Sequence, residues 1–242
     1  AHIWIRIGRY HDAALANQQA VKVDEHYLHH SHAETLYTAA YVPHNYHFLW
    51  AAAIKTGQQN MAMQAAQGAA SKVNPEMMRD PAFAGTLQHF WLLPLYTQAL
   101  FGQWSEILEA PEPSADLLYP RGIWRYSRGL ALVRQGQLNE AAAQLDLAPI
   151  LRLAEAILAG ELAAAKNDFE SSVGYLRKAV QLEESLNYTE PKDWYLPPRQ
   201  VLGAILLKAG RPAEAEQVFR ADLVAHPQSG WSLFGLLHSL QA

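Results

Sequence analysis

The stretch 201–227, VLGAILLKAGRPAEAEQVFRADLVAHP, carries the pattern of a complete helical hairpin. Gly203 is a small residue on the first helix, and Gly210 follows seven positions later in a tight turn. On the second helix, Ala215 offers a small packing surface and Phe219 a large apolar side chain. Two helices joined by so short a turn must lie side by side, and small residues let their backbones approach closely. The stretch therefore predicts an antiparallel helix pair.

The same frame, which consists of a first helix, a turn residue and a second helix, recurs along the chain. The expected turn residues are Gly8, Gly57, Gly102, Gly136, Asn167 and Gly210. They lie 31 to 49 residues apart, which predicts an irregular array rather than a regular one. We expect one domain over 1–242, with repeats at about 1–30, 43–74, 82–110, 121–149, 150–187 and 195–227 and a terminal helix at 229–241. Proline-rich connectors are expected at 111–120 and 187–198.

This frame resembles the tetratricopeptide repeat (TPR), most closely in 201–227, and the resemblance covers most of the chain. It implies an all-α, TPR-like superhelix: a right-handed solenoid of about 12 helices in antiparallel pairs. If Gly8 closes a pair, Ala1 lies in the middle of a helix, so we expect the chain to be a fragment of a longer solenoid. The stretch 43–48, PHNYHF, is also similar to a bacterial TPR-like group without an assigned activity.

The composition favours a protein with a sizeable core, since half of its 242 residues are hydrophobic. A net charge of −4 argues against a nucleic-acid partner, because no surplus of positive charge is available for phosphates. No apolar run reaches the length of a membrane-spanning helix, so no membrane insertion is expected. The absence of cysteine leaves the redox compartment open, with the cytoplasm as the default.

Histidine is the unusual residue, since nine of the eleven lie within the first 89 positions. Four of these, His26, His29, His30 and His32, are expected in the connector after the first hairpin.

The resemblance assigns other histidines to a groove, because the first helix of each TPR pair lines the concave face. Groove positions lie about 13, 10 and 6 residues before the turn residue in such a repeat. Counting back from the first three turns gives His2, His44, His47, His89 and Tyr96. The resemblance thus predicts four histidines, from three successive helices, in one stretch of groove.

Imidazole is a common ligand for zinc, copper and nickel, which makes these histidines candidate metal ligands. The candidate divalent-metal set is His2, His44, His47 and His89, with Asn45 or Glu34 as supporting groups. The sequence has neither a His-Glu-x-x-His motif nor a cysteine pair. Two other interpretations stay open: a polar groove floor that binds a peptide or small molecule, and histidines that only pack.

Farther along, the count from Gly136 places Tyr126 and Leu130 in the groove, beside Arg125. Such arginines could hold a carboxylate by paired hydrogen bonds, or they could be ordinary surface charges. Glu161 and then Gln200 face the groove in the next two repeats. The candidate ligand-binding residues are therefore His44, His47, His89, Tyr96, Tyr126 and Arg125.

Catalytic signatures are absent: the sequence has no nucleophile elbow, phosphate-binding glycine loop or dinucleotide fingerprint. We therefore expect a binding scaffold whose groove takes a peptide, a protein segment or a small ligand. The alternative is a metal-dependent hydrolase or oxidase, or a metal-binding protein, that uses the histidine cluster. A third interpretation is a segment that only holds other domains of a larger chain together.

Overall fold

A computed structural model of the chain describes residues 1–30, 37, 41–145, 151–186, 189, 191–192 and 194–242. Within these ranges the regular structure is helical, with thirteen α-helices and no β-strand. The all-α prediction is thereby confirmed. None of the helices in the described ranges combines the length and hydrophobicity needed to cross a bilayer.

The chain divides into two compact units, Ala1–Thr97 and Gln98–Ala242. The first unit contains α1 (His2–Arg6), α2 (Tyr10–His30), α3 (Val42–Lys55), α4 (Gln59–Ser71) and most of α5 (Ala84–Leu100). The second contains the end of α5, then α6 (Trp104–Glu109), α7 (Leu118–Arg134), α8 (Leu138–Ala143), α9 (Arg152–Ala165), α10 (Phe169–Glu184), α11 (Pro198–Lys208), α12 (Pro212–Ala225) and α13 (Gly230–Gln241).

All six predicted turn residues have positive φ angles, between 60° and 76°. Each lies between two helices, so the predicted pairs are α1–α2, α3–α4, α5–α6, α7–α8, α9–α10 and α11–α12. At Gly210 the amide of Arg211 donates to the Leu206 carbonyl at 2.9 Å, and the Gly210 amide donates to the Leu207 carbonyl at 3.0 Å. This pattern is a Schellman motif, which ends a helix in the left-handed region that glycine enters without strain.

Helices next to each other in sequence pack together within each unit, as in α3 with α4, α9 with α10, and α11 with α12. In the second unit, α7 also contacts α9, α9 contacts α11, and α11 contacts α13. The first helices of successive pairs are therefore neighbours, and they share one side of this unit.

The small residues of the frame lie where two helices cross. A Cβ added to Gly203 would come within 2.4 Å of the Phe219 ring, and one on Gly160 within 2.7 Å of Leu176. Ala215 is fully buried, as the frame predicts for its position on the second helix. The absent side chains thus provide the space that the apolar side chains of the second helix fill.

The predicted histidine connector differs from the structure, because α2 continues to His30. No glycine or proline interrupts the sequence between Tyr10 and His30, so nothing ends the helix earlier. His26, His29 and His30 therefore lie on a helix, and His32 and Glu34 lie outside the described residues.

Two glycine substitutions should have opposite effects on stability. Gly203→Ala should destabilise the second unit by about 1–3 kcal/mol, because the new methyl group meets the Phe219 ring. Gly174→Ala, inside α10 with nothing within 4 Å of the new Cβ, should stabilise it by about 0.5–1 kcal/mol through helix propensity. Thermal unfolding followed by circular dichroism measures both, and equal effects would contradict the packing described here.

Candidate functional site

The four predicted groove histidines come together in the first unit, on α1, α3 and α5. The His2 ring lies 5.7 Å from the His44 ring, centroid to centroid, and both rings contact Phe48. The His47 and His89 rings lie 5.0 Å apart in an edge-to-face arrangement. The cluster consists of two pairs, and α3 contributes one histidine to each.

His47 and His89 form a buried pair. Their side chains approach through Nε2 atoms 3.3 Å apart, and the two residues are only 5% and 7% exposed. A neutral imidazole has one N–H donor and one acceptor nitrogen, so one Nε2–H donates to the other Nε2. The pair therefore requires different tautomers in its two members when both are neutral.

Aromatic rings surround this pair on several sides. Trp50 stacks on His47 with centroids 5.5 Å apart, Phe90 lies 5.1 Å from His47, and Tyr96 lies 5.5 Å from His89. The Trp50 indole N–H donates to Thr97 Oγ1 at 2.8 Å, which fixes α3 against α5 beside the pair. The surroundings are thus rigid and mostly apolar.

Burial controls the protonation of these histidines. It lowers the pKa of His47 well below 6.5, and the neighbouring His89 and His44 act in the same direction. The pKa of the half-buried His44 is also lowered, first by burial and then by His2. Both side chains are therefore neutral at pH 7, which is the form that ligates metals.

The spacing of the buried pair suits two ligands of one metal ion. Zinc–nitrogen bonds of about 2.0–2.1 Å in tetrahedral geometry place two nitrogens about 3.3 Å apart. Across the described residues, however, no group of three or more His, Asp or Glu side chains is placed to hold a metal ion. Asn45, predicted as a supporting group, instead donates to the Asp24 carboxylate at 2.8 Å.

A large cleft of about 920 Å³ lies in the second unit. Most of its lining comes from the end of α5 and from α7, α9, α11 and α13. Of the intervening helices, only Trp104 of α6 and Phe219 of α12 contribute. Alternate helices thus form the cleft, because they are the neighbours on one side of this unit.

An ion pair lies in the lining of this cleft. Arg134 donates from Nη1 and Nη2 to the two carboxylate oxygens of Glu161, at 2.8 and 2.7 Å. The Glu161 side chain is 6% exposed and that of Arg134 is 43% exposed, so the cation faces solvent more than the anion does. Such a bidentate pair holds both side chains in a fixed geometry.

Aromatic side chains of α13 and of the α5–α6 region form much of the remaining lining. Phe234 is 65% exposed, and Trp231 lies 6.2 Å from Phe101, ring to ring. Lys208 and His238 are the other ionisable groups of the lining, and both are exposed. The cleft thus offers accessible apolar surface with a few polar groups, which is typical of a binding site.

A buried polar network fixes α13 next to α11 and α12. The Asp222 carboxylate accepts hydrogen bonds from Gln200 at 3.0 Å and from Ser232, and it pairs with His226 Nδ1 at 3.0 Å. Burial alone would raise the pKa of Asp222, but these partners hold it at about 2. Gln200 also lines the cleft, so the network connects the wall that α13 provides to the helices behind it.

The predicted groove residues of the later repeats divide into two groups. Leu130, Glu161 and Gln200 do line the cleft. Tyr126 and Tyr96 are fully buried, and the half-exposed Arg125 is not part of the cleft lining. A ligand in the cleft therefore meets Leu130, Glu161 and Gln200 of the predicted groove residues, but not Tyr96, Tyr126 or Arg125.

Tyr126 lies behind the ion pair. Its pKa is raised well above 10, first by burial, then by Tyr195 and Glu161, while Arg134 acts in the opposite direction. Trp194 packs 5.5 Å from the Tyr126 ring. Tyr126 thus packs behind the part of the cleft lining that contains Arg134 and Glu161.

The sequence alone did not identify Lys208, or the aromatic residues Trp231 and Phe234 of α13, as part of the candidate site. Trp231, Phe234 and His238 recur three and four positions apart, which places them on one face of α13. That spacing was the available signal, but it does not show which helix the face meets.

No protein-family model matches the chain. No curated protein and no solved structure matches it either. The fold and site define an all-helical protein of sequential helix pairs with an apolar cleft.

The buried histidine should make the first unit pH-sensitive. Because the folded state depresses the pKa of His47, protons bind more readily to the unfolded chain as the pH falls below 6.5. Stability should therefore be constant above about pH 7 and fall towards about pH 5, by at most about 1.4 kcal/mol per pH unit for each such group. Urea unfolding at several pH values measures this dependence.

A pair of variants separates this effect from other titrations. His47→Leu should reduce the pH dependence, whatever its effect on stability at pH 7, because it removes a buried group with a strongly lowered pKa, while the contribution of His44 remains. His11→Ala, at an exposed position on α2, should leave the slope unchanged. An unchanged slope in His47→Leu would show that another group titrates.

Proposed function

We propose that the protein is a TPR-like binding scaffold whose cleft in the second unit takes a peptide, a protein segment or a small ligand. The observation that carries the proposal is the origin of the lining, which comes mainly from the first helices of successive pairs. Repeat proteins that stack helix pairs offer their ligands such a surface. The left-handed turn residue in every predicted pair supports the same class.

The chemistry of the lining also favours binding. Phe234 and Trp231 expose apolar area that would gain about 25 cal/mol per Å² on being covered. The Asp222 network holds α13 in place before a ligand arrives, and preorganisation reduces the entropic cost of association. The sequence also lacks the catalytic motifs sought above.

Filling the cleft should abolish binding without unfolding the protein. Ala204 lines the cleft at an exposed position of α11, so Ala204→Trp should place an indole in the ligand's space. Selection from a random-peptide display library should enrich binders on the wild type, and Ala204→Trp should lose them. Circular dichroism should show unchanged helicity.

The matched control is Ala213→Trp, at an exposed position of α12 outside the cleft, and it should retain the enriched peptides. If Ala204→Trp binds every ligand of the wild type, the cleft is not the binding site.

The His47–His89 pair supports a second candidate, a metal-binding protein or metal-dependent enzyme. It rests on the 3.3 Å separation of the two Nε2 atoms and on the neutrality of His47. His2 and His44 would have to move towards the pair to complete a four-ligand set.

This candidate makes a measurable prediction about metal content. Purified protein without a tag should contain stoichiometric zinc, copper or nickel, and added zinc should raise its melting temperature by mass action. His47→Ala should remove both effects, whereas His29→Ala, at an exposed position on α2, should not. A wild-type melting temperature that is independent of added metal, with no metal in elemental analysis, would eliminate it.

A further inference from the structure

We infer that the cleft of the second unit binds a small amphipathic acid, with an apolar body and one carboxylate. This inference rests on the proposed function and specifies its ligand class. Three observations carry it: the charge balance of the lining, the hydrogen-bonding capacity of Arg134, and the distribution of apolar side chains.

The lining is positively charged although the chain is not. The whole chain carries a net charge of −4, whereas the charged residues of the described lining, Arg134, Glu161 and Lys208, together carry +1. Glu161 is almost completely buried, and both of its oxygens accept from Arg134. Among the described lining residues, the exposed charged groups are therefore the cations Lys208 and Arg134, and opposite charge favours an acid over an amine.

Arg134 can serve two carboxylates at once. A guanidinium has five N–H donors, and Glu161 takes two of them. The side chain is held by Glu161 and lies with its guanidinium 6.0 Å from the Trp104 ring centroid. Its position is thus fixed by Glu161 before binding, next to the aromatic surface of Trp104.

The rest of the cleft fits an apolar body. Phe101, Trp104, Trp231 and Phe234 supply aromatic surface, and small residues such as Ala204 let a ligand approach the helices closely. The volume of about 920 Å³ lies near the upper end of the 300–1,000 Å³ typical of small-molecule sites. A long acyl chain or a fused-ring acid has the required shape and polarity.

Three probes of equal chain length test the charge preference: dodecanoate, dodecanol and dodecyltrimethylammonium, each kept monomeric and titrated by calorimetry. Dodecanoate should bind about tenfold more tightly than dodecanol, as expected for one charge-assisted contact. The cationic probe should bind most weakly.

Three substitutions test whether the charge preference arises in the cleft. Lys208→Glu should weaken dodecanoate binding by about tenfold or more and strengthen binding of the cationic probe, because the cleft's net charge changes sign. Lys178→Glu, an equal charge change at an exposed position outside the cleft, should alter neither. Phe234→Ala should weaken all three probes alike, since it removes apolar contact only.

The outcomes distinguish this inference from the proposed function. Equal affinity for the three probes, lowered by Phe234→Ala, would overturn the carboxylate preference and leave an apolar binding cleft. Failure of dodecanoate to bind, with peptides still enriched by the wild type and lost in Ala204→Trp, would overturn the small acid and leave a peptide scaffold. Absence of both kinds of binding would overturn both.

Discussion

The left-handed residue at the end of each first helix is the constraint on which the rest depends. A residue with positive φ ends the helix and turns the chain back within two or three positions, so the next helix packs against the one just finished. Five of these positions are glycine, and Asn167 takes the sixth with φ at 60°. Because the pairing is local, neighbouring pairs can stack, and in the second unit this stacking aligns the helices that form the cleft.

The buried ionisable groups near the histidine cluster and near the cleft are stabilised in two different ways. In the first unit, burial keeps His47 neutral beside His89, so the pair carries little electrostatic cost at pH 7. In the second unit, the buried Glu161 carboxylate is paired with Arg134, and the buried Asp222 carboxylate with His226. A buried charge is tolerated when it is paired and hydrogen-bonded, and both carboxylates meet that condition.

These two arrangements give the two units different capacities for binding a ligand. The histidine cluster of the first unit is enclosed by aromatic rings, and its innermost pair makes its hydrogen bond internally. The cleft of the second unit keeps accessible aromatic surface and two cations, Lys208 and Arg134, with Glu161 as the carboxylate of its described lining. Ligand binding is therefore easier to reconcile with the second unit, where hydrogen-bonding capacity and apolar surface remain exposed together.

Parts of the candidate site could be predicted from the sequence. The groove positions that the TPR resemblance implies include His2, His44, His47 and His89, and the structure brings these residues together as two neighbouring pairs. Counting to the same positions found Glu161 and failed for Tyr126, which is buried behind the ion pair. Counting along one helix indicates which way a side chain points, but not how deeply it is buried. Here Trp194, from the connector, packs against Tyr126 and covers it.

The sequence by itself determined the all-helical class and the six turns. It also determined the packing of a large side chain against a small residue, as in Phe219 against Gly203. Each of these depends on local conformation or on residues that lie near one another in the sequence. The tertiary structure alone decided which histidines hydrogen-bond, and which charges and aromatic rings share a cleft. Arg134, Glu161 and Lys208 belong to three different helix pairs, and Phe234 lies on the terminal helix α13. Their proximity follows from how helices far apart in sequence pack, which no local pattern encodes.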